Sequence, residues 1–344
     1  MQVVLAGDIG GTKTHLALYG RDQPLDKPLR TASFVSRRYA GLAEICAEFL
    51  QPGDEVDTAA FGIAGPVLEE RVVTTNLPWV IEAESLRAAL GLPAGTPPRL
   101  RLFNDLEAMA LGALHLPPWS RHQLQAGVRR HGHIAVLAAG TGLGQAQLFW
   151  DGVRHLPGAT EGGHVEFAPS NEREVKLLSY VRTRLEAGQL GSHVSWERIA
   201  SGPGLATLFQ FLCDEEGMQP IAEVTAELGT GDLSALVGRF GIEAKCPVCR
   251  EAVQWFARLL GRQAGNWALS LMAVGGVLIG GGVAPKLLPA LSGPEFRSAF
   301  MDKGRYSQLM AELPIHVILD ERAGLYGAVV AARQLLSALE QRDA

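Results

Sequence analysis

A glycine-rich turn between two strands occurs twice in this chain and limits the folds open to it. Residues 3–6 read as a strand, Gly7-Asp8-Ile9-Gly10-Gly11-Thr12-Lys13 as a turn, and residues 15–19 as a second strand. In mid-chain, residues 133–138 read as a strand, Ala139-Gly140-Thr141-Gly142-Leu143-Gly144 as a turn, and residues 145–150 as a strand. This is a weak internal duplication, not a tandem array. Glycines let successive backbone N–H groups converge on one anion, and threonine adds a neutral donor, so each turn reads as a phosphate cradle. For either turn alone, an ordinary hairpin is an equally good reading. Two such turns facing each other can hold a polyphosphate between them.

Neither turn is a Walker A loop, because the G-x-x-x-x-G-K-[ST] pattern is absent. Neither is a dinucleotide fingerprint, because the first turn leads into a strand and not a helix. The candidate nucleotide-binding residues are Gly7, Asp8, Gly10, Gly11, Thr12 and Lys13, with Gly140, Thr141 and Gly142. Asp8 suits Mg2+, held through water, since a hard cation prefers carboxylate oxygen. A turn-capping aspartate is the alternative. Lys13 can reach a phosphate as a point charge or stand exposed on its strand.

Along the rest of the chain strands alternate with helices, which defines an α/β protein. A helix is expected over residues 41–50 and a strand over 58–63. A strand over 99–103 leads through Asn104-Asp105 into a helix ending near residue 114. Pro117-Pro118 marks a domain boundary. Helices dominate residues 175–275. A strand at 276–279, the turn Gly280-Gly281-Gly282 and a helix opened by Pro285 follow. The chain closes with a strand at 315–319 and an amphipathic helix over about 324–339. A length of 344 residues allows one large domain or two ordinary ones.

The charge balance, 31 Lys and Arg against 36 Asp and Glu, argues against a nucleic-acid-binding surface. The longest apolar stretch, residues 268–284, carries five glycines and makes a poor spanning helix, so no membrane partner is expected. Met1 runs almost directly into the first strand without a basic region, and Cys46, Cys213, Cys246 and Cys249 make no disulfide framework, so a reducing cytoplasm is expected. Cys246-Pro247-Val248-Cys249 has zinc-ligand spacing but no second pair, which favours ordinary packing. Asn76-Leu77-Pro78-Trp79 borders a pocket or forms a surface loop with a half-buried tryptophan.

Several motifs now stand in order: Asp8-Ile9-Gly10-Gly11-Thr12, Phe103-Asn104-Asp105, Ala139–Gly144, Glu161-Gly162-Gly163-His164, Ser201-Gly202-Pro203-Gly204-Leu205 and Gly280-Gly281-Gly282. Together they resemble the bacterial glucokinase family, within the sugar-kinase and actin-like ATPase superfamily. The resemblance covers nearly the whole chain. It implies two α/β domains with ribonuclease-H-like cores and an active-site cleft between them. The expected domains are residues 1–115, completed by a C-terminal helix 323–344, and residues 116–322. It also implies ATP-dependent phosphorylation of glucose at the 6-hydroxyl, with Mg2+. Members of that family are often dimers, though no residue of this chain points to it.

The resemblance assigns roles residue by residue. Asn104 is a sugar ligand, and Asp105 is both a sugar ligand and the general base. On residue chemistry alone, Asp105 reads better as a helix N-cap, although a carboxylate there can accept a hydroxyl proton. Glu161, His164 and Glu197 are further sugar ligands. A carboxylate can accept from two neighbouring hydroxyls, and a histidine can donate or accept. Without the resemblance, Glu161 and His164 belong to a polar loop before a strand at 164–167, and Glu197 is a first-turn helix carboxylate. Gly281 and Gly282 lie near the nucleoside. Two departures stand out: the loop from Pro157 to His164 is two residues longer than the family's usual Pro-Gly-Glu-Gly-Gly-His, and Lys13 replaces a common asparagine.

Three other activities share parts of this pattern. A kinase for another hexose or an N-acetylhexosamine shares the whole site. A non-kinase actin-like ATPase shares the phosphate turns but not Glu161, His164 and Glu197. A sugar-sensing repressor requires a DNA-binding helix pair ahead of the first strand, which is not expected with Met1 so close to that strand.

Overall fold

The computed structural model describes residues 2–74 and 76–343. Met1 and Ala344, the outer limits of the expected domains, lie outside the described residues. The chain divides into two compact units. The first comprises residues 1–118, 156–159 and 320–344, and the second residues 119–155 and 160–319.

The first unit contains β1 (Val3–Ile9), β2 (Lys13–Gly20), β3 (Arg30–Val35), β4 (Thr58–Ile63), β5 (Val67–Leu68), β6 (Arg71–Val73), β7 (Val80–Glu82) and β8 (Leu100–Asn104). Its main sheet runs β3-β2-β1-β4-β8. β1 and β2 pair antiparallel, while β4 and β8 join in parallel. β1 and β4 read as almost unbroken apolar runs because both faces of the sheet are covered. Side chains alternate across a strand, so Leu5 and Ile9 point one way and Val4 and Ala6 the other. The first set packs with Phe61, Ile45 and Phe49. The second packs with Phe103 and with Leu325, Val329 and Leu336 of the C-terminal helix Ala323–Asp343.

A small sheet β5-β6-β7 lies outside the expected elements. Its strands are two or three residues long, too short for periodicity to register. Its hairpin turns through Glu69 and Glu70, at φ 50° and 60°, where Asn-Gly would have been the usual signal. Trp79 beside it is 2% exposed, and its Nε1 donates to the Tyr39 carbonyl at 3.1 Å. The half-buried loop tryptophan expected from the sequence is therefore a core residue.

The second unit contains β9 (Arg121–Gln125), β10 (Ile134–Ala139), β11 (Leu143–Trp150), β12 (His155–Thr160), β13 (Gly276–Gly280) and β14 (Ile315–Ile318), in the order β12-β11-β10-β13-β14-β9. β10 and β11 form an antiparallel hairpin, and β13 and β14 join in parallel. The duplication read from the two glycine-rich turns thus extends to the strand order of the two sheets. A large core forms around the helices Gly202–Asp214, Leu233–Ile242 and Pro247–Ser270.

Two local expectations fail here. The strand expected at 164–167 does not form; β12 comes earlier, Gly162–His164 is a 3-10 turn, and Glu166 makes only an isolated bridge to Ser195. The paired glycines let this turn fold back onto β11, where an extended chain could not lie. Pro285 does not open a helix, since the next one is Leu288–Leu291. Among the described residues, no helix is long and apolar enough to cross a membrane.

Candidate active site

The first glycine-rich turn joins β1 to β2, with Ile9 opposite Thr14. The Gly10 N–H donates to the Lys13 carbonyl at 2.9 Å and closes the turn. A buried serine that the sequence reading overlooked holds it from behind. The Ser36 Oγ donates to the Gly10 carbonyl at 2.8 Å, and its N–H donates to the Thr12 carbonyl at 3.1 Å. Because that hydroxyl proton is committed, the Thr14 hydroxyl, 3.1 Å away, is the donor to Ser36. Thr14 and Ser36 are both 0% exposed. Their link runs across 22 residues and depends on β3 returning beside β2, so no local motif announces it.

Asp8 is the penultimate residue of β1, and its carboxylate lies against Gly324 in the first turn of the C-terminal helix. Burial pushes this carboxyl up to about 6. Among the described residues no cationic side chain pairs with it. Lys13 begins β2 with an exposed side chain. Gly7 is placed differently from the other turn residues. It lies inside β1, paired with Leu16 on one side and Phe61 on the other. A Cβ there would stand 2.6 Å from Phe61, so this glycine makes room in the core.

Asn104 ends β8, and Asp105 opens the helix Asp105–Ala113. The Asn104 Oδ1 accepts the Leu106 N–H at 2.9 Å, and Glu107 reaches back to accept the Asn104 N–H at 3.0 Å. This reciprocal cap fixes where the helix begins. The Asn104 Nδ2 donates to the Gly65 carbonyl at 3.0 Å. Asp105 Oδ1 accepts the Leu106 N–H at 2.9 Å, so its carboxylate is held at the positive end of the helix. Gly62 of β4 allows this helix to start so close to the sheet; a Cβ there would meet Ala108 at 2.6 Å. Burial raises the Glu107 carboxyl above its ordinary range, against the opposing effect of the Asn104 N–H.

In the second unit three predicted residues come together. The His164 Nε2 lies 3.8 Å from the Glu161 Oε2, and its Nδ1 lies 4.0 Å from the Glu197 Oε1. The imidazole therefore stands between two carboxylates, beyond hydrogen-bond distance of either. All three side chains reach solvent, at 64% for Glu161, 58% for His164 and 30% for Glu197. The Glu197 N–H donates to the Gly163 carbonyl at 2.9 Å, and its Oε2 accepts the Leu143 N–H at 3.1 Å. This second contact ties the cluster to the second glycine-rich turn.

That turn closes with the Gly140 N–H donating to the Gly142 carbonyl at 2.9 Å. The Gly202 N–H donates to the Gly140 carbonyl at 2.8 Å, which sets the N-terminus of the helix Gly202–Asp214 beside the turn. Gly281 leaves β13 at φ 85°, a value that favours glycine. Gly140, Thr141, Gly202 and Gly282 line one part of a cavity of about 520 Å3. Leu205, Ala235, Gly238, Val283 and Leu287 line it too and give it an apolar wall. The volume suits a nucleoside-sized ligand, and the helix N-terminus favours an anion next to it. Asp232 and Ser234 at this cavity were missed, although Asp232 caps the helix Leu233–Ile242 in a recognisable Asp-x-Ser pattern. Cys246 and Cys249 are buried at the start of the helix Pro247–Ser270. Among the described residues, no group of three or more His, Cys, Asp or Glu side chains is arranged to hold a metal by itself.

The fold is that of the sugar kinases. It matches the crystal structure of a glucokinase from an Antarctic psychrotroph with a TM-score of 0.80, at 27% identity over 97% of this chain and 99% of that one. It also matches a ROK family glucokinase from Streptomyces griseus, solved with glucose and AMPPNP. That likeness has a TM-score of 0.63 over 96% of this chain and 99% of that one, and at 23% identity it speaks for the fold alone. The glucokinase family model covers residues 5–335. A glucokinase from Aromatoleum aromaticum is 39% identical over 339 residues, 97% of this chain and 95% of its own length. The chain belongs to the glucokinase family.

Proposed function

We propose that this chain transfers the γ-phosphoryl group of ATP to the 6-hydroxyl of glucose. Family membership carries the reaction class, and the observation that carries the sugar assignment is the Glu161–His164–Glu197 cluster. Two carboxylates and an imidazole with solvent-reaching polar atoms suit a ring of hydroxyls, each of which donates and accepts.

In this reading the two units are ribonuclease-H-like domains of the actin-like ATPase kind. Asn104, Asp105, Glu161, His164 and Glu197 are the sugar ligands of this reading. Asp105 is the general base. Its carboxylate, anchored by the Leu106 N–H at a helix N-terminus, accepts the 6-hydroxyl proton as that oxygen attacks phosphorus. Charge on the phosphoryl oxygens and on the leaving ADP oxygen is stabilised by backbone N–H groups of the turns at Gly11, Thr12, Thr141 and Gly142, since those of Gly10 and Gly140 close the turns. The nucleoside occupies the 520 Å3 cavity beside Gly282.

Mg2+ fits Asp8: the carboxylate is buried enough to be raised to about 6 and has no cationic side chain beside it among the described residues. A single protein carboxylate is a usual complement to phosphate oxygens and water around this ion. When bound, the ion supplies charge neutralisation for the phosphates. All four cysteines are free thiols, as a reducing cytoplasm would keep them.

A coupled assay of ADP release across sugars tests the reading. Turnover that requires glucose and falls with its epimers and with N-acetylglucosamine supports it. Equal ATP hydrolysis with and without any sugar refutes it.

A further inference from the structure

Beneath the Glu161–His164 turn lies a polar side chain that none of these roles uses. Gln145 sits in β11 opposite Leu137 and is 1% exposed. Its backbone carbonyl accepts the Thr160 hydroxyl at 3.0 Å, and that hydroxyl oxygen accepts the Gly162 N–H at 3.1 Å. Its carboxamide lies against the same glycine: a Cβ on Gly162 would stand 2.5 Å from the Gln145 Oε1. The Nε2 is buried and has no hydrogen-bond partner among the described residues.

A buried N–H left unpaired is costly, and methionine or leucine would fill a similar space without that cost. Packing alone therefore gives no reason for an amide at this position. The turn above it can supply an acceptor. Glu161 is exposed, and its 3.8 Å approach to His164 is too long to lock it in place.

We propose that Gln145 is a positioning residue for sugar recognition. Its carboxamide, whose Oε1 lies against Gly162, turns over when a hexose is bound, so that the Nε2–H engages the Glu161–Gly162 turn and holds the Glu161 carboxylate in the orientation that accepts from the sugar. The residue touches no substrate and acts through Glu161. This rests on the sugar-kinase reading and deepens it, because a fixed carboxylate discriminates between hydroxyl configurations better than a mobile one.

The test compares wild type with Gln145→Met and Gln145→Leu, two apolar fillings of different shape, so that a loss common to both belongs to the amide. Steady-state KM values for glucose and ATP are measured, with unfolding temperatures in the absence and presence of glucose. In both variants the glucose KM rises on the order of tenfold, about the worth of one hydrogen bond. The ATP KM stays within twofold of wild type, and the glucose-induced rise in unfolding temperature shrinks. The sugar-free variants unfold no earlier than wild type, because the unpaired donor is gone. Wild-type glucose KM and glucose stabilisation in both variants would overturn the proposal. So would a loss of sugar-free stability with both KM values moved alike, which marks a purely structural residue. A wild-type chain that no hexose stabilises refutes the parent reading, and that result is visible before any variant is made.

Discussion

Glu197 accepts the Leu143 N–H at 3.1 Å through one carboxylate oxygen and faces the His164 Nδ1 at 4.0 Å through the other. One side chain thus bridges the Glu161–His164 turn and the second glycine-rich turn. A glutamine at this position can still accept from Leu143 but carries no charge toward the sugar. Glu197→Gln is expected to raise the glucose KM by about 10- to 100-fold, the cost of losing a charged hydrogen bond, and to leave the ATP KM nearly unchanged. Glu197→Ala also frees the turn and raises both. Steady-state kinetics with each substrate varied in turn distinguish the two patterns.

The buried pair Thr14 and Ser36 shapes the first turn through the Gly10 carbonyl. Ser36→Ala removes one donor and one acceptor from a site without water access. It should lower stability by about 1–3 kcal/mol in urea unfolding. Because the Gly10–Thr12 backbone loses its support, the ATP KM should rise while the glucose KM holds. An ATP KM equal to wild type would show that this turn holds its shape without the serine.

Asn104 works as a cap whatever else it does. Asn104→Ala should cost about 1 kcal/mol of stability through the lost Leu106 contact. Asn104→Asp keeps that acceptor but loses the donor to Gly65 and adds a second carboxylate next to Asp105. Its stability should fall less than that of the alanine variant while its glucose KM rises more. Thermal unfolding and kinetics on the two proteins separate capping from sugar binding.

Lys303 supplies a pH prediction away from the site. Burial, helped by the nearby Arg262, pushes its ammonium down from 10.5 to about 8, against the attraction of Asp302. The unfolded chain therefore takes up this proton first as pH falls from about 10.5 to 8. Stability drops through that window and levels off below it. Lys303→Met should be more stable than wild type at pH 7, with the gap closing toward pH 10.5. Urea unfolding of both proteins at the two pH values measures it.

The sequence revealed the parts of the site that are local. Two strand–turn–strand units with glycines and threonine are short-range patterns, and both became hairpins at the expected positions. Asn104 and Asp105 were legible as a helix start for the same reason. Glu161, His164 and Glu197 were legible only through the ordered set of motifs, since 33 residues separate His164 from Glu197 and no periodicity relates them. Ser36 and Gln145 were invisible. Their significance lies in which carbonyl or glycine the fold brings against them, and a serine just past a strand or a glutamine within one carries no such label. The turn at Glu69-Glu70 was hidden because its residues adopt a backbone conformation that glutamate rarely takes.

In the proposed reaction the Asp105 carboxylate takes the proton of the attacking hydroxyl. Asp105→Asn keeps the shape and the acceptor for the Leu106 N–H but removes the proposed base. Its rate of glucose 6-phosphate formation under saturating glucose and ATP tests the claim most directly. The expected result is a kcat lowered by about 10²- to 10⁴-fold, with glucose still stabilising the protein against heat. A kcat within tenfold of wild type, with glucose still bound, would contradict it.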